Sequence, residues 1–572
     1  MTSKNKHRQA FRVQIPGFKR LFAYRREWLR GDILAGLTVA AYLIPQCMAY
    51  GELAGVEPVA GLWAILTPMA IYAVFGSSPQ LSVGPESTTA VMTAVAIAPL
   101  AVTNSDTYAA LASLLAIMTG LVCIVAYIAR LGFLADLLSK PILIGYMTGI
   151  ALIMIGGQLG KIGGMKIEAD AFFNQINEFI GKLGQIHPPT LILAVLVLVF
   201  LFTLQRPFPS LPVPLLAVLL ATMAVVIFNL DDRGVAVVGA IPAGLPHFTI
   251  PQVSVKDLNS LVASAVGIAI VGYSDNVLTA RAFATRNHYK IDPNQELLAL
   301  GAANFGNGLM QGFPISSSGS RGVIGDSLGS KSQLFSLVAM AVVILVLLFL
   351  RPLLALFPNA ALGAIVIYAA TKLIEVSEFI RLYRFRKSEF ALACITMLAV
   401  LITNILVGVG IAVGLSVIEL FSRVARPHDA VLGKVKGMEG LHDIQDWEEV
   451  ETIPGLVIYR YDAPLCFANA ENFKRRSLSA IEAEINPVEW FVLNMEANVE
   501  IDITAIDMLS ELRDELTTRN ITFAMARVKQ DLYLELEKAG FLHNVVAEHI
   551  YPTLPSAIAG FESRHEELTI ND

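Results

Sequence analysis

Long apolar runs separated by short polar segments make up most of this chain, from about Gly31 to Phe421. A helix needs about 20 predominantly apolar residues to cross the hydrocarbon core of a bilayer, and several runs reach that length. Counted with two shorter helices described below, the pattern predicts about 14 spans. The predicted fold class is therefore a polytopic α-helical membrane protein, followed by a soluble region.

The predicted spans follow one another closely. They are the runs 32–54, 58–75, 81–100, 108–129, 141–158, 189–204, 212–229, 261–283, 296–309, 332–350, 359–373, 389–405 and 406–422, with a short helix from about residue 317. The last two runs predict a hairpin around Gly408 and Gly410. The basic stretch 376–389 predicts a helix on the cytoplasmic surface. The first run carries Tyr42, Gln46, Tyr50 and Glu52 around Pro45, and polar side chains beside this proline are expected to face a cavity rather than lipid.

A polar segment, Gly312–Gly322 (GFPISSSGSRG), interrupts the apolar pattern between two spans. Irregular polar backbone is tolerated at membrane depth only where it lines a cavity. Ser317, Ser318 and Ser320 can begin a new helix there, and the free N–H groups at a helix N-terminus attract anions. Gly319 would let an anion approach the backbone closely, and Arg321 adds a positive charge one turn into the helix. The alternative is a flexible loop cap.

The run 81–100 (LSVGPESTTAVMTAVAIAPL) contains a second polar start. Pro85 fits the first turn of a new helix, and Glu86, Ser87 and Thr88 follow it. Two interrupted segments at corresponding places in two halves of a chain are typical of transporters built from inverted repeats. We therefore predict one anion site between the two short helices that begin near Pro85 and near Ser317.

An acidic residue, Asp275, lies past the middle of the span 261–283, and Thr279 follows one turn later on the same face. A carboxylate at this depth is costly, so it indicates a functional site. The alternative is a structural ion pair with Arg281 or Arg321.

The region after Asp429 has a different pattern. Strands are predicted at 455–461, 489–495 and 521–528, and helices at 503–520 and 531–541. Strands that alternate with helices indicate a small α/β domain. No nucleotide-binding loop, metal cluster or catalytic constellation is present in the sequence, so neither an enzyme nor a cofactor is expected, and the acidity of this region argues against nucleic acid as a partner.

Composition and charge set the orientation and the domain limits. The 572 residues are 55% hydrophobic and 16% charged, with a net charge of −6 and a mean hydropathy of +0.61. By the positive-inside rule, basic residues that precede the first span place the N-terminus in the cytoplasm: Lys4, Lys6, Arg8, Arg12, Lys19, Arg20, Arg25, Arg26 and Arg30. An even number of spans returns the C-terminus to the cytoplasm, and the expected location is the plasma (inner) membrane. The predicted regions are an N-terminal segment (1–30), a membrane domain (31–424), a soluble domain (430–562) and a tail (563–572). Four scattered cysteines, Cys47, Cys123, Cys394 and Cys466, are expected to be reduced packing residues.

Four of these stretches resemble the sulfate permease (SulP) family of anion transporters. They are 32–64, SVGPE (82–86), GFPISSSGSR (312–321) and PLCFANAENF (464–473), of which the last resembles the entry to a STAS domain. The resemblance implies seven-plus-seven inverted spans divided into a core and a gate domain, a dimer, and elevator-like movement of the core against the gate. It also implies a substrate site between the two short helices and a regulatory protein at the STAS domain.

Single residues carry the resemblance further. Ser320 and Arg321 are similar to the family's anion-site pair. Asp275 with Thr279 resembles the sodium site of cyanobacterial bicarbonate members, which implies that this pair binds a coupling cation, Na⁺ or H⁺. Thr504 occupies the place of a phosphorylatable serine in related antagonists. Glu86 departs from the apolar residue of many sulfate members, and its carboxylate should weaken anion binding unless it is protonated or paired with Arg321. The predicted function is cation-coupled oxyanion transport, sulfate first and bicarbonate second, with an uncoupled channel, an exchanger or a membrane scaffold as alternatives.

Overall fold

The structure is a computed structural model that describes residues 15–100, 105–133, 139–169, 171–205, 207–208, 211–242, 244–253, 255–403, 405–447, 449–544 and 549–571. The basic residues Lys4, Lys6, Arg8 and Arg12 lie outside these ranges. The chain divides into two compact units, Met1–Ser416 and Val417–Asp572. The first is built from helices and one short β-ribbon, and the second contains a sheet.

Helices of the first unit follow the predicted spans closely. They are α1 (Pro16–Phe22), α2 (Leu29–Leu53), α3 (Pro58–Phe75), α4 (Ser87–Ile97), α5 (Ser105–Ile128), α6 (Lys140–Gly163), α7 (Phe172–Gly181), α8 (Pro188–Leu204), α9 (Val213–Phe228), α10 (Val255–Arg286), α11 (Pro293–Leu309), α12 (Gly319–Ser327), α13 (Leu334–Phe349), α14 (Arg351–Ala355), α15 (Asn359–Leu373), α16 (Val376–Phe385), α17 (Lys387–Ile402) and α18 (Ile405–Ala425), which reaches into the second unit. Strands β1 (Ser82–Gly84) and β2 (Ser316–Ser318) precede α4 and α12.

Length and hydropathy support a multi-pass membrane protein. Six helical segments in the described residues are long and apolar enough to cross a membrane, and four shorter apolar helices accompany them. The helices α4, with 11 residues, and α12, with 9 residues, are about 14–16 Å long, roughly half the thickness of the hydrocarbon core. They are the two short helices that the sequence predicts.

The membrane helices form two successive sets of seven with matching contacts. The first set is α2, α3, α4, α5, α6, α8 and α9, and the second is α10, α11, α12, α13, α15, α17 and α18. In the order given, α2, α3, α4 and α5 correspond to α10, α11, α12 and α13. The contact of α3 with α13 then corresponds to that of α11 with α5, and the contact of α12 with α2 corresponds to that of α4 with α10. Likewise α6 corresponds to α15 and α8 to α17, so the contact of α17 with α6 corresponds to that of α8 with α15. These equivalences are the packing signature of a repeat.

Packing also divides the helices into two groups that cut across the repeats. The core group contains α2–α5 and α10–α13, and the gate group contains α6, α8, α9, α15 and α17. The groups meet where α15 and α9 pack on α2 and where α15 and α6 pack on α4. A boundary between two packed groups is a common place for a ligand cavity.

The hairpin of the last two spans turns at a different place from the prediction. Helix α17 ends at Ile402 and α18 begins at Ile405, so Gly408 lies inside α18. A Cβ atom at Gly408 would lie 2.5 Å from Val400 Cγ2, so this glycine permits close packing of α18 on α17 rather than a turn. Pro45, which interrupts the first apolar run, lies inside the continuous helix α2.

The second unit contains a sheet covered by helices on both faces. Its strands are β3 (Asp429–Val435), β4 (His442–Asp443), β5 (Val450–Glu451), β6 (Leu456–Tyr461), β7 (Trp490–Asn494), β8 (Thr522–Ala526) and β9 (Ile550–Tyr551), and its helices are α19 (Ala470–Glu482), α20 (Ile503–Thr518), α21 (Gln530–Lys538) and α22 (Leu554–Asn571). The sheet order is β4-β3-β6-β7-β8-β9, with β6 to β9 parallel.

Alternating side chains give this sheet two cores. Tyr459 and Phe491 lie in one core with α19, α20 and α21, whereas Trp490 and Val492 lie in the other with α22. Successive side chains of a strand point to opposite faces of the sheet. Because helices cover both faces, the central strands are apolar throughout. Helix α22 runs from Leu554 to Asn571 and crosses the predicted boundary between the soluble domain and the tail at 562–563.

Candidate functional site

The short ribbon of β1 and β2 brings the starts of α4 and α12 together. The strands pair antiparallel with Ser82 opposite Ser318 and Gly84 opposite Ser316. Helix α4 begins three residues after β1, and α12 begins directly after β2. The two N-termini, with their unpaired N–H groups and partial positive charges, therefore lie in one region at membrane depth.

Two asparagines of α11 hold the segment that leads into β2. Asn304 donates from Nδ2 to the Ile315 carbonyl oxygen (3.0 Å) and accepts from the Ile315 amide (2.8 Å). Asn307 donates to the Phe313 carbonyl oxygen at 2.7 Å. Both asparagines are fully buried. Their amides replace the backbone partners that an irregular segment lacks, which is what polar backbone inside a membrane requires.

Arg321 lies behind this ribbon and is fully buried. Its Nη1 donates to the Pro85 carbonyl oxygen (2.9 Å) and to Gln46 Oε1 (3.4 Å), and its Nε donates to Ser82 Oγ (3.2 Å). Gln46 in turn donates to the Tyr50 hydroxyl at 3.0 Å. The guanidinium thus ties α12 to the start of α4 and to α2, and it keeps a positive charge beside both N-termini.

The two N-termini differ in their caps. Glu86 is the N-cap of α4, and its Oε2 accepts from the Thr88 amide at 2.8 Å, while Ser87 Oγ donates to the same carboxylate. Ser318 is the N-cap of α12, and its side chain makes no cap hydrogen bond to that helix, although its Oγ lies 3.2 Å from Ser320 Oγ. Helix α4 is therefore capped by its own carboxylate, whereas the first turn of α12 is uncapped.

A cavity of about 520 Å³ opens in front of these N-termini. The core group lines it with Tyr42, Tyr50, Glu86, Ser87, Thr88, Asp275, Thr279, Ser317, Ser318, Gly319, Ser320, Val323 and Ile324. The gate group lines it with Met147 of α6, Gln205 at the end of α8, and Tyr368, Ala369, Lys372 and Leu373 at the end of α15. The cavity thus lies between the two groups of helices.

Most of the site residues predicted from the sequence meet in this cavity. Gln46 and Arg321 are not among the lining residues, since both lie behind the wall and Arg321 acts through hydrogen bonds and its charge. Between the described residues Glu86 and Arg321 there is no ion pair, because the hydrogen bonds of Glu86 go to its own helix. The guanidinium donates to the neighbouring Pro85 carbonyl oxygen instead.

Asp275 and Thr279 lie on one face of α10 and reach the cavity beside β2. Ser317 Oγ donates to Asp275 Oδ2 at 3.4 Å. No ion pair joins Asp275 to Arg321, both of which the structure describes. The carboxylate, the Thr279 hydroxyl and the serines of β2 together offer hard oxygen ligands, the kind that Na⁺ or a proton would use.

Gly319 faces open space at the first residue of α12. A Cβ atom built there would meet only Thr279 Cγ2, at 3.8 Å. Packing therefore does not require glycine at this position, whereas at Gly322 a Cβ atom would lie 2.6 Å from the Phe283 ring. Close approach of a ligand to the α12 backbone is a physical reason for the glycine.

Tyr50, one of the polar side chains near Pro45, lines the cavity and lies one turn after Gln46 on the face that also carries Tyr42. Sequence reasoning did not find several other lining residues. Lys372 is a lone cation at the end of an apolar run, with its Nζ 5.0 Å from the centre of the Tyr368 ring. Met147 and Gln205 carry no local signal, because only the packing of distant helices places them at the cavity.

Thr504 lies in the second unit. It is exposed, in the first turn of α20, where Asp502 caps the helix by accepting from the Ala505 amide at 2.9 Å.

Comparisons with known proteins agree with this architecture. The family model described as "Sulfate permease family" matches residues 29–396, and the STAS domain model matches residues 449–557. A Mycobacterium tuberculosis protein named "Probable sulfate transporter" is 54% identical over 549 residues, which cover 96% of this chain and 98% of that protein. "Sulfate transporter 4.1, chloroplastic" of Arabidopsis thaliana is 31% identical, with 95% of this chain and 82% of that protein covered.

Solved structures show the same fold. A murine anion transporter of the Solute Carrier 26 family, in an inward-facing state, superposes with a TM-score of 0.89 at 22% identity and covers 98% of this chain and 97% of that chain. The transmembrane domain of a cyanobacterial bicarbonate transporter gives a TM-score of 0.62 at 23% identity, over 68% of this chain and 98% of that chain.

Proposed function

This chain belongs to the sulfate permease family, and from that premise we propose that it is a secondary active transporter of a small inorganic oxyanion, with sulfate as the first candidate. The observation that carries the proposal is the pair of helix N-termini that face one cavity between the core and gate groups. Relatives that match almost the whole chain are named sulfate transporters, which favours sulfate.

In this proposal the anion binds at the N-terminus of α12. The amides of its first turn and the hydroxyls of Ser317, Ser318 and Ser320 donate to the oxyanion, and Gly319 allows the close approach. The N-terminus of α4 contributes from the other side through Ser87, Thr88 and Glu86. Arg321 stabilises the anion through its charge from behind the wall, and Tyr42 lines the cavity while Gln46 orients the guanidinium.

The coupling cation in this proposal is Na⁺ or H⁺, and it binds at Asp275 and Thr279. Both residues share the cavity with the serines of β2, and Ser317 contacts the Asp275 carboxylate directly. A cation there offsets the negative charge of Asp275 before an anion enters the same cavity, which makes binding of the two ions cooperative.

Transport needs the cavity to open on each side of the membrane in turn. We propose that the core group carries the site past the gate group in an elevator-like movement, in a homodimer. The division of the helices into two groups, with the cavity between them, supports this. We further propose a plasma (inner) membrane location with both termini cytoplasmic, and a regulatory partner for the STAS domain, with Thr504 as a phosphorylation site.

Uptake of radiolabelled sulfate and of radiolabelled bicarbonate into proteoliposomes, with and without an inward Na⁺ or H⁺ gradient, tests the function. We expect sulfate to accumulate above its equilibrium level when a gradient is present. Accumulation of bicarbonate driven by Na⁺ would identify bicarbonate, and not sulfate, as the substrate. The oxygen atoms of Asp275 and Thr279 would suit a bound Na⁺ in that case. Flux that only equilibrates under every gradient would contradict the coupled mechanism and favour a channel or exchanger.

A further inference from the structure

Glu86 occupies the N-terminus of α4, where the anion of the proposed site would also bind. Its Oε2 accepts from the Thr88 amide at 2.8 Å, and Ser87 Oγ lies 2.9 Å from Oε1 and 3.0 Å from Oε2. Such amide and hydroxyl donors are what a helix N-terminus offers to a bound oxyanion. The carboxylate of the chain itself thus uses the donors of α4.

The opposite helix start lacks such an occupant. The N-cap of α12, Ser318, makes no cap hydrogen bond, and its Oγ lies 3.2 Å from Ser320 Oγ. Both helix starts line the same cavity. An oxyanion can therefore reach the α12 donors directly, but it can use the α4 donors only after the Glu86 carboxylate has left them.

We propose that Glu86 is a displaceable occupant of the anion site, and that its carboxylate takes up one proton when an oxyanion replaces it at α4. The inference rests on the proposed function, because it needs an oxyanion that reaches α4. The step balances simply: one proton from the aqueous phase joins a Glu86 carboxylate oxygen, and it returns to the aqueous phase when the anion leaves and Glu86 caps α4 again.

Electrostatics in the cavity make the proton necessary. A displaced Glu86 carboxylate would share one cavity with the oxyanion and with Asp275, and a proton on Glu86 removes one of these like charges. A protonated carboxyl is neutral and can donate a hydrogen bond to the anion. With the anion absent, the carboxylate accepts hydrogen bonds from the Thr88 amide and the Ser87 hydroxyl at the cap.

Helix α6 contributes only the uncharged Met147 to the cavity lining. The other charged or titratable groups around Glu86 come from four helices. They are Tyr42, Cys47 and Tyr50 on α2, Asp275 on α10, Arg321 on α12, and Tyr368 and Lys372 on α15. Arg321 and Lys372 attract both the carboxylate and the anion, so they favour exchange of one for the other rather than loss of both.

Equilibrium binding of radiolabelled sulfate to the purified full-length protein, from about pH 5 to about pH 8, tests the proposal. Wild-type binding should weaken as the pH rises, by about tenfold per pH unit for each proton that binding requires. Glu86→Gln cannot take up a proton, so its binding should require one proton fewer per anion and should be tighter than that of wild type at high pH. Glu57→Gln is the matched control, because Glu57 is an exposed N-cap residue of α3 whose side chain makes no cap hydrogen bond. It should keep the wild-type pH dependence.

A second measurement counts the protons directly in wild type and in Glu86→Gln, because a proton that binds at Asp275 would add to the wild-type count. Addition of sulfate in weakly buffered solution should raise the pH, as reported by an indicator dye, by about one proton per bound anion more in wild type than in Glu86→Gln. Sulfate binding without proton uptake overturns the inference but leaves the proposed function standing, and so does Glu86→Gln with an unchanged pH dependence. A wild-type protein that binds neither sulfate nor bicarbonate contradicts the proposed function itself, and the inference with it.

Discussion

At the scale of single residues, Arg321 and Asp275 have different tasks although both lie beside the ribbon. The guanidinium is fully buried and holds three acceptors from three parts of the core group. The Asp275 carboxylate is in the cavity and contacts Ser317. Loss of Arg321 should therefore affect structure and anion binding together, whereas loss of Asp275 should affect cation coupling and leave the fold intact.

Arg321→Ala should lower both the thermal stability and the anion affinity. It leaves the Pro85 carbonyl oxygen and Gln46 Oε1 without their donor, at about 1–3 kcal/mol for each buried unpaired group. It also removes the charge beside both helix N-termini, so we expect sulfate affinity to fall by more than about tenfold. Binding and thermal unfolding of the purified protein measure both. Arg321→Lys keeps the charge without the planar set of donors and should be intermediate; wild-type affinity in the alanine variant would exclude Arg321 from the site.

Asp275→Asn should abolish accumulation but keep equilibrating flux. The amide is nearly isosteric with the carboxylate, so the hydrogen bond from Ser317 can persist, but the negative charge that binds the cation is lost. Tracer uptake with and without an inward cation gradient separates the two outcomes. Thr279→Val removes the second proposed ligand and should weaken cation dependence in the same direction. Gradient-driven accumulation at the wild-type level in Asp275→Asn would refute the coupling role.

At the scale of elements, most helices could be predicted and the ribbon could not. The apolar run 58–75 has the bounds of α3, and the polar starts near Pro85 and Ser317 mark α4 and α12, because span length and helix-start residues are local signals. Pairing of β1 with β2 joins residues far apart in the sequence, and three-residue strands have no recognisable pattern. Strand β3 and helices α19 and α22 were also not predicted, although in α22 the apolar residues Leu554, Ala557, Ile558 and Phe561 recur at helical spacing.

The asparagines of α11 explain how such a short ribbon keeps its place. Asn304→Ala removes both hydrogen bonds to Ile315 and leaves a buried N–H and a buried carbonyl oxygen unpaired. We expect a loss of about 2 kcal/mol or more in stability and a weaker anion site, since β2 leads directly into α12. Thr148→Ala is the control, because that buried hydroxyl bonds only one turn back, to the Ile144 carbonyl oxygen. Equal effects of the two variants on sulfate binding would contradict the proposal that Asn304 holds β2 in place.

At the scale of the whole molecule, the chain contains two units with separate cores. The helices of the membrane unit share one large apolar cluster, and the STAS sheet has its own cluster on each face. The matching contacts of the two sets of seven helices show why the two polar segments meet: repeats related by inversion place their interrupted spans face to face. This relation could be anticipated from two interrupted spans, but the gate residues at the cavity could not.

Trp490→Ala tests the separation of the units. Trp490 is buried and packs against Tyr551 and Phe561, so its truncation should destabilise the STAS unit by about 3–5 kcal/mol. Limited proteolysis in urea should show earlier cleavage of the region 450–560 in the variant. The sulfate affinity of the full-length protein, measured without urea, should stay within about twofold of wild type, as expected for sites with separate cores. A large loss of affinity would mean that the two units are energetically coupled.

The most direct test of the central claim is equilibrium binding of radiolabelled sulfate to the Gly319→Val variant. The valine side chain has room to fit, since a Cβ atom at Gly319 meets only Thr279 at 3.8 Å, but it would fill the space in front of the α12 N-terminus. Gly410→Val is the control, because that helical glycine also has nothing within 4 Å of an added Cβ atom. We predict unchanged thermal stability in both variants, wild-type binding in Gly410→Val and a loss of at least about tenfold in Gly319→Val. Wild-type sulfate affinity in Gly319→Val would contradict an anion site at the start of α12.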